Sequence, residues 1–431
     1  MRRELSIVRR VRSRAIGWMG RRYLARVRRN GIDLSRMRSL PESALMPLRR
    51  DGLDPVPALA DARVSAPISR LDLPFGANAW LVTGHDEAKA VLGRATGFSS
   101  DFTHLVGNAG VTDGDNPGGL GFADPPVHTR LRRLLTPEFT MRRLARLTPR
   151  IDEIVTEQLD AMARADGPVD LWEAFALPIP SLTICELLGV PYEERDRFQR
   201  LSTARFDLVS GALNSLGAIT ESLSYLLDIV RAQREAPGDG LLGMLIREHG
   251  DEISDRELAG LADGVLTGGL ETTASMLALG TLLLLRDPDA FAQIRDDDAA
   301  VNRFVEESLR YLTVVQLAFP RFATQDLDIA GVRIEQGDIV LVSLSGANRD
   351  PALGTAMEGF DPARPPSPHL AFGHGIHRCI GAELARMELR AAYPALVRRF
   401  PELRLAVPPG DLSFREVSIV YGVESLPVLV K

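Results

Sequence analysis

The sequence predicts a mainly α fold: a helical bundle around one long central helix, with small β-sheets beside it. Three observations lead there. Apolar residues recur at helical spacing through most of the chain. One such stretch opens at Ser254 with Glu257 three residues on, a capping box, and stays apolar to about Leu285. Short strand-like runs gather mainly between Phe319 and Ser343 and at the C-terminus.

In chain order, residues 1–50 come first and carry fifteen arginines against Glu4, Asp33 and Glu42, a local balance of +12 that leaves −18 for the remainder. Leu5, Val8, Ile16, Met19, Tyr23 and Val27 fall on one helical face there. An anionic membrane surface and nucleic acid are the functional readings. A poorly ordered or packed extension is the plainer one and is preferred, because no aromatic residues interleave the charges in the nucleic-acid manner. Pro55 to Ala60 and the glycines of Gly107 to Gly121 read as loops. Asn78 to Thr83 reads as a strand and His85 to Leu92 as a helix. Val127 to Leu147 reads as one arginine-rich amphipathic helix, and Ile151–Arg164, Ser181–Leu188, Glu193–Leu208 and Ser215–Arg234 as further helices. The central helix comes next, a rod of ~45–50 Å at 1.5 Å per residue. Asp287-Pro288 opens a helix and Ala299 to Leu312 makes another. Phe319–Thr324, Leu327–Ile334 and Ile339–Ser343 are short strands with Gly331 and Gly337 at turns, and helix returns over Gly381 to Phe400.

Composition narrows the function. The chain has 431 residues, 45% hydrophobic and 25% charged, with a net charge of −6, which is globular rather than disordered. Two cysteines, Cys185 and Cys379, exclude a disulfide framework and a zinc site of several thiolates. No uninterrupted apolar run approaches the ~20 residues of a membrane span, and no signal peptide is read at the N-terminus. A cytoplasmic location is expected. No Walker-type loop and no Gly-x-Gly-x-x-Gly after a strand is present, so the chain lacks a flavin or nicotinamide domain of its own.

Cys379 carries the chemistry. It lies in Phe372-Gly373-His374-Gly375-Ile376-His377-Arg378-Cys379-Ile380-Gly381, just before a helix. A thiolate at a helix start is favoured by the dipole and the free backbone N–H groups. Gly373 and Gly375 let the backbone turn tightly and approach a flat partner. A buried small hydrophobe is the ordinary fate of a lone cysteine and suits Cys185. A nucleophile would want a histidine–carboxylate arrangement, which the sequence does not announce. An axial thiolate ligand to haem iron fits Cys379 better.

This stretch resembles the haem-binding loop of the cytochromes P-450, Phe-x-x-Gly-x-x-x-Cys-x-Gly. Phe372, Gly375, Cys379 and Gly381 occupy every fixed position. The resemblance runs from about Met46 to the C-terminus. It implies the family's fold as a single haem-binding domain over 46–431, with 1–45 as a basic extension outside it.

The resemblance also implies roles for further residues. Gly268-Gly269-Leu270-Glu271-Thr272-Thr273 is similar to the family's oxygen-activation segment. Two helix-interior glycines cost roughly 1 kcal/mol each against alanine, so a bulky neighbour is expected to use the space. Glu271 would relay protons and Thr272 would hydrogen-bond dioxygen or a nearby water, with Gly269 against the cofactor. Glu307 and Arg310 are similar to the family's Glu-x-x-Arg, with Arg364 as third member, a structural trio under the cysteine loop. His128, Arg132, Arg321 and His377 would hold the two haem propionates, and Arg130 and Arg133 would be solvated and face an acidic redox partner. Phe372 and Gly373 complete the cofactor contacts.

The resemblance implies haem b and insertion of one atom of dioxygen into an apolar small molecule, a secondary metabolite such as a terpenoid or macrolide-like compound. Electrons would come from an external ferredoxin and its reductase. Phe206, Leu266, Leu317 and Ile419 are expected in the substrate pocket, with walls from Leu266–Thr272, Thr103–Val111, Val314–Phe319 and Ser418–Tyr421. Aryl coupling or peroxide-driven oxidation on the same fold, a non-catalytic haem carrier and a cysteine hydrolase are the alternatives. No nucleic-acid partner is expected, and peripheral membrane contact through the basic N-terminus stays open.

Overall fold

The structure is a computed structural model that describes residues 42–72, 78–101, 120–191, 194, 195, 197, 198 and 212–431. Most of the basic extension, the loop expected near Thr103 and most of the helix expected over 193–208, Phe206 included, lie outside these residues.

The central helix spans Asp255–Arg286. Its start is fixed locally: the Ser254 hydroxyl accepts from the Glu257 N–H, and Glu257 reaches back to the Ser254 N–H. Nineteen of its residues are buried, which is why it runs through the main core instead of over the surface. It is also long and apolar enough to cross a membrane by length and composition, but most of its apolar window is covered by the fold. It packs on the helices Pro178–Leu188, Ala212–Glu235, Asp298–Leu312 and Ala382–Arg399. Where the last of these crosses, Gly280 leaves room for the Tyr393 hydroxyl, which donates to Met276 O at 2.5 Å.

A second, smaller core lies against a five-stranded sheet. Its order is Ile68–Asp72, Asn78–Val82, Ile339–Val342, Arg321–Ala323, Phe98–Ser99. The middle pair, Asn78–Val82 with Ile339–Val342, is parallel, and the other neighbours are antiparallel. Gly331 and Gly337, at the expected turns, have φ of 79° and 93°, where a side chain is disfavoured. The mainly helical class and the small sheets agree with the sequence reading.

Three local expectations are corrected. The arginine-rich helix ends at Leu135, not Leu147. Pro137 has no N–H to continue it, so the chain goes on as a tight turn over Thr136–Phe139 and the short helix Met141–Leu144. Pro55 to Ala60 is not all loop: Pro57 opens the helix Pro57–Ser65, using the first-turn position where a missing N–H costs nothing. The helix expected from Ser181 begins at Pro178 for the same reason.

Candidate functional site

The cysteine loop is shaped by its glycines. Gly375 has φ of 72°, and a Cβ there would overlap the carbonyl oxygen of Leu92. Gly373 has φ of 68°, and the Cys379 N–H donates to Phe372 O at 2.8 Å, closing the loop on itself. The following helix opens at Ala382 with Gly381 as its cap. The Cys379 side chain is solvent-accessible even though protein surrounds it on several sides. Burial pushes its thiol pKa up, while the Gly381 N–H and Arg132, Arg378 and Arg386 pull the other way. The helix start alone therefore does not produce the thiolate; bonding to a metal ion would, because a coordinating thiol loses its proton. Cys185 is buried, and its thiol is pushed up to about 12 by burial, as befits a core residue.

The four expected propionate ligands converge. The His128 and His377 rings lie 4.4 Å apart between centroids. Arg321 Nη1 donates to the Ser100 hydroxyl at 2.6 Å, and that hydroxyl is 3.4 Å from His377 Nε2. Arg132 Nη1 donates to the carbonyl of Arg378, beside the cysteine, at 2.7 Å. Burial lowers the pKa of both histidines, His377 to about 4, and Arg321 adds to the effect. His128 Nε2 and His377 Nδ1 are buried without a hydrogen-bond partner. Among the described residues neither Arg132 nor Arg321 has a carboxylate in ion-pair contact, and Asp124, which bonds the Ser100 N–H, is the one carboxylate whose charge acts on Arg321 and both histidines from nearby. A buried cation with no ion pair of its own, as at Arg321, is costly. This cluster is therefore suited to an anionic group, and haem propionates fit it.

The central helix presents an open face at Gly264, Thr267 and Gly268. A Cβ on Gly268 would meet nothing within 4 Å, whereas one on Gly269 would lie 3.0 Å from Ile184. The glycine that leaves open space is Gly268, while the Cβ direction of Gly269 points at Ile184. Thr272 spends its hydroxyl proton on Gly268 O at 2.7 Å, so its oxygen offers only lone pairs to other partners. Glu271 is not free: Arg415 Nη1 donates to its Oε1 at 2.6 Å. Burial raises the Glu271 pKa and Arg415 opposes the rise.

The structural trio assembles. Arg310 meets Glu307 through two bonds of 2.7 and 2.8 Å, and Arg364 Nε approaches Glu307 at 3.4 Å. A second cluster beside it escaped the sequence reading. Glu306 takes two bonds from Arg386 and one from His369, and Arg386 lies 4.7 Å over the Phe372 ring. Arg130, expected to be solvated, pairs with Glu257 of the capping box.

Of the expected pocket residues, Ile419 is 56% exposed and Leu317 is half-buried. Leu266 is 1% exposed in the main core, about half a helical turn round from Gly268, and does not line a cleft. Two residues without any sequence signal organise the pocket walls. Gln316 accepts from Arg50 Nε at 2.8 Å, donates to Leu48 O and Ser418 O, and its N–H donates to Ile419 O. Arg50 also spans to Leu312 O and Thr313 O. These contacts join segments from about 100 to more than 260 residues apart, which no local pattern reveals.

Comparison with known proteins agrees with this geometry. A family model described as Cytochrome P450 matches residues 229–411. Cytochrome P450 165B3 of Amycolatopsis orientalis is 41% identical over 390 residues, covering 88% of this chain and 97% of its own. Cytochrome P450 monooxygenase PikC of Streptomyces venezuelae is 40% identical over 379 residues, covering 87% of this chain and 91% of its own. The solved structure of P450 StaH from glycopeptide antibiotic A47934 biosynthesis superposes with a TM-score of 0.80 at 42% identity, covering 90% of this chain and 100% of that one.

Proposed function

The chain belongs to the cytochrome P450 family and is a haem-thiolate monooxygenase, and from that premise we propose that it inserts one oxygen atom into an apolar secondary metabolite, using electrons from an external ferredoxin. One observation carries the site reading: the accessible Cys379 thiol lies beside a cluster of two arginines and two histidines in which neither arginine is ion-paired and two ring nitrogens have no partner.

Cys379 would hold the iron, and Arg132, Arg321, His128 and His377 the propionates, by charge-assisted hydrogen bonds. When bound, the haem supplies the activation of dioxygen, with two electrons and two protons consumed and the second oxygen atom released as water. This chain supplies the surroundings. Glu271 carries protons inward and Thr272 accepts a hydrogen bond at the open helix face. Leu317 and Ile419 present apolar surface to the substrate, as pockets for small molecules do. Arg133 is exposed beside a groove of about 600 Å³ lined also by Pro125, Pro126, Thr129 and Arg130, a basic face suited to an acidic ferredoxin. On this reading the protein works in the cytoplasm, and the arginine-rich first 45 residues would supply any contact with anionic membrane.

A second reading is oxidative coupling in place of insertion at the same thiolate site, and the likeness to the StaH protein of glycopeptide antibiotic biosynthesis points to a natural-product substrate for either reaction.

The test is the absorption spectrum of purified protein, reduced and exposed to carbon monoxide. A strongly red-shifted Soret band, lost in Cys379→Ser, supports the thiolate site. Haem without that shift, or no haem after haem-replete expression, overturns it. Product mass from candidate substrates then separates insertion, which adds one oxygen, from coupling, which removes two hydrogens.

A further inference from the structure

Two segments with different tasks in the site meet at one buried amide. Asn348 is fully buried. Its Nδ2 donates to Thr313 Oγ1 at 2.8 Å, and its Oδ1 accepts the Leu370 N–H at 2.6 Å. Leu370 O accepts the Gly373 N–H at 2.8 Å, so the amide reaches the cysteine loop on this side. Thr313 is the first residue after the helix Asp298–Leu312, and the segment it opens carries Gln316 and Leu317.

The turn at Thr313 is strained. Its φ is 38°, in the left-handed region that a β-branched residue rarely adopts. Glycine or asparagine is the usual residue at a helix end of this shape. The hydroxyl explains the threonine. Besides accepting from Asn348 it donates to Arg310 O at 2.7 Å. Arg310 Nη1 donates in turn to Asn348 O at 2.8 Å, which closes a ring of three residues. Arg50 Nη2 holds Thr313 O at 3.0 Å from outside the ring. Thr313 and Leu370 are buried like Asn348, so solvent does not compete for these bonds. A satisfied buried network holds its members in one arrangement.

Taking Cys379 as the haem ligand, on which this rests, we propose that Asn348 is a positioning residue for the thiolate: with the Thr313 hydroxyl it forms a strut that fixes the cysteine loop relative to the pocket wall of Leu317 and Ile419. At the Leu370 end the strut holds the start of the loop, which closes through the Cys379 N–H on Phe372 O. At the Thr313 end it holds the root of the wall. The Tyr421 N–H on Val314 O and the Gln316 N–H on Ile419 O extend that wall to the C-terminal hairpin. Loss of the hydroxyl frees both ends, because Asn348 Nδ2 then has no acceptor at Thr313 and the amide can turn away from Leu370. Glu307 has a different reach: it bonds Arg310, Arg364 and the Asp361 N–H, none of them in the loop or the wall.

The experiment takes two readouts from the full-length, haem-loaded protein. One is the fraction of reduced, carbon monoxide-bound protein whose Soret band lacks the thiolate red shift. The other is the ratio of 4-phenylimidazole to imidazole affinity. In Thr313→Val, which keeps the branching but not the hydroxyl, both move several-fold, and Asn348→Ala moves them in the same directions. Thr313→Ser keeps the hydroxyl and leaves both near wild type. The double variant goes no further than Asn348→Ala, because the two residues act as one strut. Gly280→Ala disturbs the Tyr393 hydroxyl instead and leaves both readouts unchanged. Unmoved readouts in Thr313→Val, only one of them moved, additive effects in the double variant, or an equal change in Gly280→Ala each overturn the strut. Thr313→Val against Thr313→Ser decides the matter if Asn348→Ala does not fold. A third readout needs no haem: in haem-depleted protein iodoacetamide alkylates the exposed Cys379, with Cys185 buried, several-fold faster in Thr313→Val than in wild type. A wild type without the red-shifted band overturns Cys379 as the ligand, and equal alkylation rates overturn the strut, so the two failures are told apart.

Discussion

Glu307 and Arg310 form a buried two-point ion pair one helical turn apart, and Arg310 uses all five of its N–H donors. Beyond Glu307 it bonds the carbonyls of Asn348, Met357 and Gly359. Removing one partner of such a pair strands a buried charge, so Arg310→Ala should cost about 3–5 kcal/mol. Arg310→Lys keeps the charge but has three donors for five sites, so it should also destabilise, by about 1–3 kcal/mol for each carbonyl left unpaired. Urea unfolding midpoints measure both. A lysine variant as stable as wild type would mean that charge, not the guanidinium fork, is what the site needs.

The same substitution at two glycines of the central helix should have opposite signs. Gly268→Ala places a methyl group in open space and gains helix propensity, about 1 kcal/mol of stability. Gly280→Ala drives a methyl group into the Tyr393 hydroxyl and displaces its bond to Met276 O, and should cost about 1–3 kcal/mol by overpacking. The pair is compared by urea unfolding of haem-depleted protein. A destabilised Gly268→Ala variant would show that the face at Gly268 is closed.

These two glycines also show what the sequence could and could not convey. The central helix was legible from Ser254 and Glu257 because a capping box is local chemistry. Cys379 was legible because its glycines answer a local backbone demand. The helix end at Leu135 was hidden by arginine-rich periodicity that continues past Pro137 while the backbone does not. Leu266 was misplaced because neighbouring residues of one motif face different ways, and only packing against the core tells them apart. Arg415, Gln316 and Arg50 left no trace, since each acts on a residue more than 140 positions away in the chain.

Gln316 should set how well the pocket tells ligand sizes apart. Its amide donates to Leu48 O and Ser418 O, its backbone holds Ile419, and Leu317 is the next residue. Gln316→Glu retains the acceptor for Arg50 but has no donor for the two carbonyls, leaving each unpaired at about 1–3 kcal/mol. The walls at Leu317 and Ile419 then separate more easily. Azole titrations of the haem-loaded protein read this directly. The preference between imidazole and the bulkier 4-phenylimidazole should move toward the bulkier probe by several-fold in Gln316→Glu. An unchanged ratio with lowered stability would make Gln316 a structural residue only.

Acid should reveal the Glu306 cluster. Burial disfavours ionisation of Glu306, but hydrogen bonds from His369 and Arg386 outweigh it and bring the carboxyl down to about 2, from an ordinary 4.5. A depressed carboxylate pKa means that the unfolded chain binds more protons than the folded one between those two values. The stabilisation from Glu306 is therefore complete above about pH 4.5 and is lost as the pH falls toward 2. Glu306→Gln removes the charge and with it this dependence. Unfolding free energies of wild type and Glu306→Gln should differ most at neutral pH and draw together as acid is added, because protonated Glu306 and glutamine are both neutral partners for Arg386. The same series should report on the cysteine loop, since Arg386 lies over Phe372 and Phe372 O receives the Cys379 N–H. Parallel curves across this range would show that Arg386 and His369 hold Glu306 by packing, with no contribution from its charge.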